Sequence, residues 1–171
     1  MFQPGGARLD LCSIAKGYAV DLAGQALDAL GAQSWLVDIG GELKGRGVKP
    51  NGEPWWVSLE TGAGNSAESF VAALCDLAVA TSGVGVRNFM AQGRRYSHAI
   101  DPRNGSPVAH SLAAVSVVHE SAMLADAWAT ALLVLGPGYG PACAEAYELA
   151  ARFVFNDGRD IATSKLDAML R

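Results

Sequence analysis

Apolar residues recur every four positions at Ile14, Tyr18, Leu22, Ala26 and Leu30, which is the spacing of one stripe along an α-helix. The pattern predicts a helix over residues 14–30, with Ser13 to cap its start and Gly31 to stop it. A short strand over residues 8–11 is expected to lead into it. Past Gly31 the pattern changes to short apolar or alternating runs. These predict strands over residues 35–39, 42–47 and 55–60, with Gly40-Gly41 as a tight turn and Pro50-Asn51-Gly52 as a loop. Residues 61–69, TGAGNSAES, are small and polar, the composition of a mobile loop.

Residues 71–74 and 77–81 follow as two strands or one interrupted strand, and residues 112–118 form a β-branched-rich one. Ser121 is placed to cap a helix over residues 122–135 that Gly136-Pro137-Gly138 ends. A third helix over residues 139–151, a strand over 152–156, an Asp157-Gly158 turn and a short helix behind Ser164 complete the chain. Strands paired through tight turns alternate with helices, which predicts an α+β fold with a mostly antiparallel sheet. The alternation also resembles a doubly wound parallel sheet, but the Gly40-Gly41 turn and the short links favour the antiparallel form.

One stretch stands apart from this pattern: YSHAIDPRNGSPV, residues 96–108. It begins as a strand in which Tyr96, His98 and Ile100 would share a face. Asp101-Pro102 ends that strand, Asn104-Gly105 tolerates positive φ, and Pro107 fixes the exit. A rigid loop directly after a histidine is a place to expect a site.

A chain of 171 residues is the size of one domain. Its share of charged residues, 18%, is below the usual value of about 25%, and half of it is hydrophobic. That balance points to an apolar face covered by a homo-oligomer contact or by a partner. A net charge of −4 argues against a nucleic-acid partner, which would favour a basic stripe. No apolar run reaches membrane-spanning length, and MFQPGGARLD lacks the regions of a signal peptide. Cys12, Cys75 and Cys143 are widely spaced and read as three buried thiols.

Asp126 and Thr130 lie at i and i+4 on a helix that is otherwise apolar. Such a carboxylate needs a partner: a hard cation with oxygen ligands such as Mg²⁺, or the positive end of its own helix. His98 suits proton transfer near neutral pH, metal ligation or a structural role. His110 and His119 read as surface residues. Asp101 either orients His98 or caps its own turn. Lys16, one turn into the first helix, would attract phosphate or simply be solvated. Ala80-Thr81-Ser82-Gly83 would let a ligand approach the backbone, or is a plain turn.

Five motifs in order, IAKGYAVD, LVDIGGEL, ATSG, YSHAIDPRNGSPV and ADAWATAL, resemble those of the FAD:protein FMN transferases, the ApbE-type flavin transferases. The resemblance covers most of residues 9–135 and implies an ApbE-like, T-fold-related domain lacking the family's N-terminal half. It also implies an enzyme that cleaves FAD with Mg²⁺, attaches FMN to a threonine or serine hydroxyl of an acceptor flavoprotein subunit of a redox complex, and releases AMP. By the same resemblance His98 is the base that activates the acceptor hydroxyl. Asp126 and Thr130 supply side-chain metal ligands, Ser13 a backbone carbonyl ligand, and Lys16 and Ile100 flavin-nucleotide contacts. Family members often work on the outer side of the bacterial inner membrane. The chain departs from the family pattern at Cys12-Ser13, where Gly-Gly is usual, and at Val84-Gly85, where Asp-Tyr is usual.

Overall fold

The computed structural model describes residues 5–6, 9–59, 70–85 and 88–169, apart from the side chains of residues 94 and 95. In chain order the elements are α1 (Ala15–Ala29), β1 (Trp35–Ile39), β2 (Glu42–Arg46), β3 (Trp55–Leu59), β4 (Phe70–Leu74), β5 (Leu77–Gly83), β6 (Asn88–Ala91) and β7 (Arg94–Ser97). There follow β8 (Ile100–Asp101), β9 (Ser106–Pro107), β10 (Leu112–His119), α2 (Ala122–Ala146), β11 (Ala150–Phe155), β12 (Asp160–Ala162) and α3 (Ser164–Met169). Residues 61–69, expected to form a mobile loop, lie outside the described residues.

Six strands make the central sheet in the order β1-β2-β5-β10-β11-β12, and each neighbouring pair is antiparallel. This is the α+β arrangement rather than the doubly wound one. Gly40 and Gly41 have φ of 65° and 95°, the left-handed values a two-residue hairpin turn requires, so β2 returns directly beside β1. Alternation along the strands divides the core into two sides. On one side α2 packs over Val115, Val117 and Phe153, and α1 with α2 covers Ala78. On the other side the β3–β4 hairpin and α3 cover Val79, Val118 and Ala150.

Several expectations need correction. Residues 9–11 are irregular rather than a strand, and the N-cap of α1 is Ile14, which makes no side-chain capping bond; Ser13 does not cap it. Cys12 and Cys75 are exposed and Cys143 is half-buried, so they are not three buried thiols. The hairpin β6–β7 and the edge strand β12 were not foreseen. The two predicted helices after Ser121 form one element broken at Gly136, whose φ of 74° and ψ of −176° leave the helical range. Pro137 has no N–H to offer the carbonyl of Leu133, and His110 Nε2 bonds that oxygen at 2.7 Å instead. His110 Nδ1 accepts from the Leu112 N–H, so the ring is the Nε2–H tautomer serving the break in α2. His119 likewise accepts from the Ser121 N–H. Neither histidine is a bare surface residue.

The largest correction concerns α1. Its four-residue apolar stripe faces outward: Tyr18 is 51%, Leu22 45% and Leu30 85% exposed. The helix packs through the opposite stripe of Gly17, Val20 and Gly24. A Cβ on Gly17 would stand 2.2 Å from the carbonyl oxygen of Ala122, and one on Gly24 2.5 Å from the ring of Trp35. Glycine therefore brings α1 to backbone contact with the start of α2.

At that contact each helix satisfies the other's first turn. The Gly17 N–H donates to Asp126 Oδ2 at 3.0 Å. In return Asp21 accepts from the N–H groups of Ala122 and Met123 at 3.1 and 3.0 Å and from the Ser121 hydroxyl at 2.7 Å. Ser121 also accepts from the Leu124 N–H, the cap its sequence position predicts. Lys44 Nζ completes the shell of Asp21 at 2.7 Å. Burial pushes the Asp21 carboxyl up, but Lys44 and the donors of α2 outweigh it and hold it below its ordinary value.

Two outcomes follow. Gly17→Ala gains about 1 kcal/mol of helix propensity but meets immovable backbone, so a net loss of about 2 kcal/mol or more is expected in denaturant unfolding. Asp21→Ala should lose about 1–2 kcal/mol at neutral pH, the scale of a lost helix cap. Because the folded carboxyl lies below its reference value of 3.8, its contribution is fully present above that pH and lost as the pH falls through the folded value. Melting curves of parent and variant should therefore converge in acid.

Candidate active site

The face of the sheet under α1 and α2 carries a row of polar side chains. Strand alternation places Glu42 and Lys44 on the same face of β2, where Lys44 meets Asp21 and Glu42 meets Lys16. Lys16 Nζ donates to Glu42 Oε1 at 2.6 Å and to the Gly40 carbonyl at 3.5 Å. Its side chain is 39% exposed whereas that of Glu42 is 2% exposed. Burial, offset in part by Lys16 and reinforced by the charge of Asp126, holds the Glu42 carboxyl above its ordinary value. Asp126 and Glu42 are thus two buried carboxylates in electrostatic contact, gripping the consecutive residues Gly17 and Lys16.

Gly17 lies in the first turn of α1, so its N–H has no carbonyl of its own helix to bond. Ser13 lies just ahead of the same first turn. Asp126 takes the Gly17 N–H, and among the described residues no backbone hydrogen bond reaches the Ser13 carbonyl. Thr130, one turn beyond Asp126, shares a 2.8 Å hydrogen bond with the Ser82 hydroxyl on β5. The structure therefore gathers Lys16, Asp126 and Thr130, with Ser13 close in sequence to Gly17. No three His, Cys, Asp or Glu side chains among the described residues stand together as a metal cluster. A cation at this place would take mixed oxygen donors: carboxylate, hydroxyl, free carbonyl and substrate.

His98 and Ile100 stand elsewhere, on the loop after β7. His98 occupies a bend between β7 and β8, so the predicted single strand is interrupted there. It is exposed, as is Ile100. The bend is held by the Ala99 N–H donating to Ser97 Oγ and by the Val108 N–H donating to the Ala99 carbonyl. Asp101 serves its own turn: its carboxylate accepts from the Arg103 N–H and guanidinium, and its carbonyl from the Gly105 N–H. Arg103 holds that carboxyl below the usual range and also reaches the Val134 carbonyl of α2 at 3.4 Å. β8 packs against α2, so the loop and the carboxylate cluster share one helix as support.

Glu42 and Asp21 lie inside the family-like motifs without an expected role, and Ser82, expected in a loop or turn, belongs to strand β5. The available signal was alternation: Glu42 and Lys44, two apart on a strand next to a buried helix, must find charge partners. Val84, where an acidic residue would fit the motif, instead packs against the apolar cluster of Leu112 and Leu133. A cavity of about 510 Å³ lies beside Asp21, Asp28, Trp35, Lys44 and Arg46. Its ion pairs, Asp21 with Lys44 and Asp28 with Arg46, are already made, and none of the candidate residues lines it.

Residues 1–153 match the model of the ApbE family. A Haemophilus influenzae protein named FAD:protein FMN transferase is 36% identical over 162 residues, covering 94% of this chain and 47% of that protein. A Chlamydia trachomatis protein of the same name is 41% identical over 128 residues, 73% of this chain and 38% of that protein. The crystal structure of Pseudomonas stutzeri flavinyl transferase ApbE in its apo form superposes with a TM-score of 0.84 at 45% identity, over 94% of this chain and 51% of that one. The ApbE protein of Thermotoga maritima gives 0.83 at 28% identity, over 98% and 55%. The chain spans about half the length of these relatives, and across that span sequence and fold agree: it belongs to the ApbE family.

Proposed function

We propose that this chain is the cation-bearing part of an FAD:protein FMN transferase. In this reaction FMN passes from FAD to a threonine or serine hydroxyl of an acceptor flavoprotein subunit of a redox complex, and AMP leaves. The observation that carries the proposal is the buried Asp126 carboxylate held against the first turn of α1 by the Gly17 N–H. Thr130 lies one turn beyond Asp126, and Ser13 just ahead of the first turn of α1, where no backbone hydrogen bond among the described residues reaches its carbonyl. Carbonyl, carboxylate and the Thr130 hydroxyl are the hard oxygen donors that Mg²⁺ accepts. The shared name of the relatives supports flavin transfer.

Bound Mg²⁺ would neutralise the pyrophosphate and favour departure of AMP. Asp126, Thr130 and the Ser13 carbonyl would hold it. Lys16, whose side chain is partly exposed, would add positive charge for a phosphate. The exposed imidazole of His98 would take the proton of the acceptor hydroxyl as its oxygen bonds to the FMN phosphorus and the bond to AMP breaks. Ile100, exposed two residues on, offers an apolar contact to the flavin nucleotide. The outward stripe of Tyr18, Leu22 and Leu30 supports a further feature of the assembly, a second copy or a partner covering α1. If that cover also completes the nucleotide pocket, the chain alone would be a non-catalytic flavin-binding module.

Asp126→Asn keeps an acceptor for the Gly17 N–H and removes the charge. It should keep the parent's melting temperature and lower Mg²⁺-dependent FAD turnover by about a hundredfold or more; unchanged turnover would refute the assignment. His98→Ala should lose about a hundredfold or more in transfer to the acceptor while Mg²⁺ binding, read by calorimetry, stays at the parent value. Equal loss of both would make His98 structural.

A further inference from the structure

Glu42 is the first residue of β2, set directly behind the Gly40-Gly41 turn and turned toward the face that α1 and α2 cover. It is 2% exposed. Its Oε1 takes the Lys16 ammonium at 2.6 Å. Its Oε2 is buried and has no hydrogen-bond partner among the described residues. Buried carboxylate oxygens are ordinarily satisfied, and one that is not marks a place where a water or an ion belongs. The charges agree. Glu42 and Asp126 contribute two negative charges, Lys16 one positive, so the buried cluster carries one negative charge in excess. Asp126 holds the N–H of Gly17, the residue next to Lys16, so the two carboxylates meet consecutive residues of α1.

We propose that Glu42 is a positioning residue for the divalent cation: its free Oε2 accepts a hydrogen bond from water carried by the ion at Asp126. This rests on the cation site proposed above. Mg²⁺ gives up its hydration shell reluctantly and keeps several waters, and carboxylates behind the direct ligands orient such groups and tune affinity. Glu42 suits that task because Lys16 and the turn behind it hold it rigidly. Lys16 and the cation then compete for one carboxylate. Lys16 can yield, since its side chain reaches solvent, whereas Glu42 is fixed in the sheet.

The test is calorimetric titration of Mg²⁺ alone into the parent chain, E42Q, K16M and the double variant K16M/E42Q, with melting temperatures recorded without the ion. Glu42→Gln should weaken Mg²⁺ binding about ten- to a hundredfold, and K16M should bind more tightly than the parent. In the double variant the gain from K16M should disappear, and this variant removes both halves of the ion pair together should E42Q alone fail to fold. A merely structural Glu42 would lower the ion-free melting temperature and leave Mg²⁺ affinity within twofold of the parent, which would overturn the proposal while sparing the cation site. A folded parent that binds no Mg²⁺ would overturn both.

Discussion

The contact between the first turns of α1 and α2 is the constraint on which the rest of the site depends. Each helix begins with N–H groups that its own backbone cannot satisfy, and each is answered by a carboxylate of the other, Asp126 for α1 and Asp21 for α2. The exchange requires the helices to meet at backbone distance, which only a residue without a side chain at position 17 permits. Once they meet, the remaining chemistry follows from geometry. Asp126 is buried and Lys16 is brought over Glu42.

Much of the scaffold was legible in the sequence because short-range physics decides it. Trp35–Ile39 and its return strand follow from alternation plus two glycines, and Ser121 caps α2 as its position requires. The failures share a cause. The stripe Ile14–Tyr18–Leu22 has the right period for a buried face, but period alone cannot choose between two faces of one helix. The choice was made by Gly17 and Gly24, whose small size counts only when the partner backbone and Trp35 are in view. His110 was misread for a similar reason: its partner, the Leu133 carbonyl, is orphaned by a proline two elements away in sequence. At the site, Asp126 with Thr130 was visible as a spacing, whereas Glu42 required knowing which face of β2 lies under the helices.

The polar row under α1 and α2 also shows why the sheet uses such small residues there. Ala78 and Ala80 on β5 are fully buried, and they let α2 sit low enough for Thr130 to reach Ser82. Larger side chains would lift α2 and separate every donor–acceptor pair along the row. The packing of the apolar core and the placement of the polar groups are therefore one problem, solved by the same residues.

The break in α2 has a consequence for how the chain could vary. Asp126 lies near one end of its first segment, and the carbonyls of Leu133 and Val134, held by His110 and Arg103, lie at the other. Arg103 belongs to the loop that carries His98. The helix between them is thus a ruler, roughly 12 Å from Asp126 to Val134 at 1.5 Å per residue, and it fixes how far the loop stands from the carboxylates. One residue added inside that span would also rotate the far end by roughly 100°, from 3.6 residues per turn. Hairpins elsewhere can lengthen without disturbing this measure, but these two turns of helix cannot.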